Sequence, residues 1–99
     1  MHTRDEILDF LRTHRDFLKE NFHITKIGLF GSFVRGDQTA QSDIDLLIEL
    51  DAEVGDVHLL KNSVREYLTS KLNRGIHLAR EKYLHDYAKE VILKEAIFI

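Results

Sequence analysis

Apolar residues early in the chain fall at Ile7, Leu8, Leu11, Leu18 and Phe22, with Asp, Arg and Lys filling the positions between. That three-and-four spacing predicts a helix from Thr3 to about Asn21 with one face turned to a core. Thr3 and Glu6 form a capping-box pair at its start. The period then shortens. Ile24–Phe30 is a compact apolar run closed by Gly31, which predicts a strand. Phe33 to about Arg35 predicts a short helix, and 36–42 is polar and loop-like. Asp43–Leu50 predicts a second strand, paired with the first in an antiparallel or mixed sheet. Helical spacing returns from Gly55 to Leu72, with Asp56 as N-cap and Val57, Leu60, Val64, Leu68 and Leu72 as the buried stripe. Asn73-Arg74-Gly75 ends that helix, and Ile76–Ala79 predicts a third strand. A last helix is predicted from about Lys82 to near Phe98, with Leu84, Ala88, Val91 and Ile92 facing inward. The order helix, strand, strand, helix, strand, helix describes a small α+β domain.

Composition narrows this further. The 99 residues suit one domain over 1–99 and leave too little chain for two ordinary cores. A hydrophobic fraction of 43% is that of a soluble globular protein. The chain has no cysteine, so disulfide and thiolate chemistry are excluded. No apolar run approaches the ~20 residues of a membrane helix. The charged opening Met1–Leu8 reads as a helix start and not as a secretory signal. A cytoplasmic protein without membrane contact is expected. Fourteen basic against seventeen acidic residues give a formal charge of −3. Nucleic-acid binders carry a basic surplus, so direct binding of long nucleic acid is not expected. His2, His14, His23, His58 and His85 are scattered and make no metal-ligand spacing. No serine sits in a nucleophile elbow. Tyr67, Tyr83 and Tyr87 fall on helices as core or partner-facing residues.

One stretch carries chemistry. Gly31-Ser32 follows the first strand directly, and Asp43 and Asp45 head the second, with ten residues between Ser32 and Asp43. Side chains at i and i+2 of a strand share a face, so Asp43 and Asp45 project together. Two neighbouring carboxylates repel, and each is expensive to desolvate without a partner. A hard cation resolves the conflict, and Mg²⁺ is commonly held by one or two carboxylates plus substrate phosphates. A Gly-Ser turn at a helix start offers backbone N–H groups to a phosphate. The competing readings are a solvated strand start for the acids and an ordinary turn for Gly31-Ser32. Arg35, the nearest cation, can serve a phosphate or pair with Asp37.

These residues resemble the Gly-Ser…Asp-x-Asp signature of the DNA polymerase β-like nucleotidyltransferase superfamily. The short chain is similar to its minimal members, the MNT domains that act as antitoxins in HEPN/MNT toxin–antitoxin pairs. The resemblance implies a mixed sheet flanked by helices, with both motif halves at one edge of a cleft. It implies ATP as substrate, bound at Gly31, Ser32 and Arg35, and Mg²⁺ on Asp43 and Asp45. It also implies a HEPN-domain ribonuclease toxin as partner in a hetero-oligomer. That toxin is neutralised by transfer of AMP to one of its hydroxyls, a tyrosine in related pairs.

The sequence departs from that family at one point. Active relatives carry a third carboxylate on the third strand, where this chain has His77 in Ile76-His77-Leu78. Glu49, Glu81 and Asp86 are the nearest alternatives along the sequence. Two readings follow. In the first, His77 completes the catalytic set with Asp43 and Asp45, because a neutral imidazole can take the proton of a phenol whose pKa is about 10. In the second, the domain is catalytically weak and neutralises its toxin by binding alone. His77 as a plain solvent-facing strand residue is the third possibility. A subunit of a small-molecule nucleotidyltransferase is the remaining alternative function; its acceptor site would have to come from a partner.

Overall fold

The computed structural model describes residues 2–51 and 55–99. Its elements are helices α1 (Arg4–Thr13) and α2 (Arg15–Phe22), strand β1 (Ile24–Phe30), a one-turn helix α3 (Ser32–Arg35) and strand β2 (Ile44–Leu50). Helix α4 (Val57–Leu72), strand β3 (Ile76–Ala79), a 3-10 turn (Glu81–Tyr83), helix α5 (Asp86–Glu95) and strand β4 (Ile97–Phe98) follow. The four strands form one sheet in the order β3-β2-β1-β4. β1 lies antiparallel to β2 and β4, while β2 and β3 run parallel, so the sheet is mixed as expected.

The strand alternation separates core from site. Ile44, Leu46 and Ile48 of β2 are fully buried, in one cluster with Ile7 and Leu11 of α1, Leu18 of α2, and Val64, Leu68 and Leu72 of α4. The helices thus cover one face of the sheet, and each such side chain contributes roughly 1.5–3 kcal/mol by leaving water. The opposite face of β2 carries Asp45 and Glu49. In register with Asp45 are Phe30 on β1 and His77 on β3. The Thr3–Glu6 capping box and the Asp56 cap on the Leu59 amide form as the sequence requires.

Several expectations need correction. The first helix is two helices, broken at His14, whose Nδ1 lies 2.8 Å from the Phe10 carbonyl while its ring stacks on Phe10. The bend lets Phe17 and Phe22 pack around Tyr67, which is therefore a packing residue. The last helix is α5 alone, ending at Glu95. Phe98 lies instead in β4, whose pairing with Gly28 and Leu29 captures a segment with no helical stripe of its own. Val91 is 47% exposed and does not face inward; Tyr83 and Tyr87 are exposed as well. Asp43 stands one residue before β2 and not inside it. No helix among the described residues is long and apolar enough to cross a membrane.

Candidate active site

β1 ends at Phe30, and the chain turns sharply at Gly31 with φ +81° and ψ −153°, a backbone conformation open to glycine and little else. Phe30 pairs with Asp45, so the turn arrives beside that carboxylate. The fit is close enough that a methyl group on Gly31 would overlap Asp45 Oδ2. The Val34 and Arg35 amides bond back to the Gly31 carbonyl and close α3. Ser32 Oγ and the Ser32 and Phe33 amides bond to none of the described residues, so they remain available to an anion.

Asp43 is seated differently. It lies against Gly75, just before β3, where a methyl group would overlap Asp43 Oδ1. The Ile44 amide bonds to the Gly75 carbonyl at 2.9 Å and fixes that approach. Each of the two acids is therefore backed by a glycine. Arg74 steadies the same corner, donating from Nη1 to the carbonyls of Thr39, Ala40 and Ser42 and lying 5.2 Å from the Phe33 ring. Sequence reasoning missed Gly75 and Arg74. Both stood inside a helix terminator, and their partners lie some thirty residues away.

Asp45 and His77 meet across β2 and β3, with His77 Nδ1 3.1 Å from Asp45 Oδ1. The His77 side chain is 59% exposed, which leaves its outer edge open to an incoming molecule. Burial pushes the Asp45 carboxyl above the usual carboxylate range. The hydrogen bond and charge of His77 pull it back, Asp43 raises it again, and Arg35 lowers it slightly. Arg35 donates from Nε to Asp37 at 3.1 Å and from Nη1 to Glu95 at 2.8 Å. The Glu95 bond, then the Asp37 bond, raises its already high pKa.

The alternatives for a third carboxylate lie elsewhere. Glu49 accepts the Glu81 amide and pairs with Arg80, and Glu81 pairs with Lys26 and Lys89. Among the described residues no three His, Cys, Asp or Glu side chains are grouped to hold a metal. The donor set is thus two carboxylates, close enough for one to raise the other, beside a turn with unused N–H groups. It fits a hard divalent cation that takes its remaining oxygens from phosphate and water.

The chain belongs to the nucleotidyltransferase domain family, whose model matches residues 11–99. It is 35% identical, over the full length of both chains, to MJ1379 of Methanocaldococcus jannaschii, a candidate protein adenylyltransferase. It is 29% identical to the protein adenylyltransferase MntA of Thermococcus cleftensis, covering 100% of this chain and 98% of that one. A solved structure described as a candidate minimal nucleotidyltransferase superposes with a TM-score of 0.72 at 28% identity, over 91% of this chain and 93% of the other. A toxin–antitoxin crystal structure with AMP-PNP shares the fold at a TM-score of 0.66 and 21% identity, over 98% of this chain and 72% of that one.

Proposed function

We propose that this protein is an antitoxin that transfers AMP from ATP to a tyrosine hydroxyl of a partner HEPN ribonuclease and so silences it. The observation that carries the proposal is the convergence of Asp43, Asp45 and the Gly31-Ser32 turn at one end of the two central strands, β1 and β2. The names borne by the full-length relatives support a protein acceptor, and the toxin–antitoxin neighbour, alike in fold, supports a toxin as partner.

In this reading Ser32 Oγ and the Ser32 and Phe33 amides hold the β- and γ-phosphates, and Arg35 adds a cation beside them. Asp43 and Asp45 hold Mg²⁺, which when bound neutralises triphosphate charge. With its Nδ1–H donating to Asp45, His77 presents Nε2 as a proton acceptor. The tyrosine oxygen attacks the α-phosphorus, and its proton passes to His77 Nε2. The new P–O bond forms as the bond to the bridging β-phosphate oxygen breaks, and pyrophosphate leaves with the electron pair. The protein's contribution is positioning and charge stabilisation.

A second reading, neutralisation by binding alone, is favoured by His77 standing where a third acid would be. One experiment separates them. The protein is incubated with α-labelled ATP, Mg²⁺ and the protein encoded by the neighbouring gene. Label on that partner with wild type, and none with Asp43→Asn/Asp45→Asn, supports transfer. If no label moves while the double variant still protects cells from the toxin, the transferase proposal fails and the binding reading stands.

A further inference from the structure

The two most anion-seeking groups of the turn already share a carboxylate. Glu95, the last residue of α5, accepts the Gly31 amide through Oε2 at 2.8 Å and Arg35 Nη1 through Oε1 at 2.8 Å. Its side chain is only 14% exposed. Two features place it there. α5 ends at Glu95, and the next residues leave as β4 to pair with Gly28 and Leu29, close upstream of the turn. Glu95 is thereby tied to the strand that delivers Gly31. A guanidinium carries five N–H donors in a rigid plane. Asp37 takes Nε and Glu95 takes Nη1, so Nη2 of Arg35 has no partner among the described residues.

We infer that Glu95 is a positioning residue for the nucleotide: it holds the Gly31 backbone and the Arg35 plane still, so that Ser32 and Arg35 Nη2 meet the phosphates already oriented. The inference rests on the nucleotide-binding reading above. It gives a use to a mostly buried acid that lies outside the Gly-Ser…Asp-x-Asp motif. Preorganised donors lose less freedom on binding, and the gain appears as affinity for the phosphates alone. The rival assignment has Glu95 occupying the phosphate's place and leaving before ATP can enter. It requires the opposite sign, since removing the acid would then tighten binding.

The test is a titration of ¹⁵N-labelled protein with Mg·ATP and, separately, with adenosine, following backbone amides and the Arg35 Nε–H. Glu95→Ala is expected to weaken ATP binding about tenfold, the equivalent of one charge-assisted hydrogen bond, and to leave adenosine binding unchanged. Glu95→Gln keeps one acceptor oxygen and turns an NH2 toward the other donor, so it should recover only part of the loss. If Glu95→Ala does not fold, Glu95→Asp takes its place with the same expectation, being one methylene too short to span both donors. Unchanged or tighter ATP binding overturns the inference, as does an equal loss for ATP and adenosine, which would mean general loosening. Wild-type protein that binds no ATP at all refutes the nucleotide-binding reading itself, and the inference with it.

Discussion

Burial raises the Asp45 carboxyl, and the neighbouring Asp43 adds to the rise, so ionising Asp45 works against folding while no cation is present. Its folded value lies above its unfolded one. The protonated form therefore favours the folded state at acid pH, and that advantage disappears as pH rises through the raised value. Asp45→Asn should consequently raise the thermal midpoint at neutral pH in divalent-free buffer, and the gain should shrink as the solution is acidified. A midpoint that falls at pH 7 would contradict this account. Gly75 makes a second residue-scale prediction. Its φ is not positive, so alanine suits the backbone, yet the added methyl displaces Asp43 Oδ1. Gly75→Ala should fold with a stability loss near 1 kcal/mol and bind Mg·ATP roughly tenfold more weakly in calorimetry. Wild-type affinity would show that the orientation of Asp43 is unimportant. At this scale the acids and the Gly-Ser turn were legible in the sequence as candidates, because each is a local pattern. It could not show Gly75, Arg74 or Glu95, whose importance lies in distant partners.

Among the elements, α4 supplies both ends of a testable comparison. Asp56 caps the Leu59 amide at 3.0 Å on an exposed turn, while Leu68 is fully buried under the sheet. Asp56→Ala should cost about 1 kcal/mol, and Leu68→Ala about 2–5 kcal/mol, both read from urea unfolding. Equal losses would mean that α4 is not held chiefly by its buried stripe. The bounds of β1 and β3 match the sequence reading residue for residue, because compact apolar runs between turn residues leave little choice. The His14 break was hidden for the opposite reason. It comes from a side chain bonding its own preceding turn, with neither proline nor glycine to mark it. β4 was hidden because Ile97 and Phe98 become a strand only by pairing with β1, some seventy residues earlier.

For the whole molecule, the proposed site predicts linkage between ligand and fold. Mg·ATP at a hundred times its Kd should stabilise the wild type by about 2.7 kcal/mol, a shift on the order of ten degrees or more for a domain this size. Asp43→Asn/Asp45→Asn should lose the shift, and a double variant that keeps it would remove the two acids from the site. The amino-acid order alone determined most of the helices and strands, the α+β class, and a Gly-Ser turn and two acids as candidates for one site, since these follow from local periodicity and short motifs. Only the tertiary structure decided what stands around that pair. Pairing across β2 and β3 set His77 against Asp45, and the return of the chain through α5 and β4 carried Glu95 to the turn. Those contacts join residues far apart in sequence, and no local rule encodes which of them will meet.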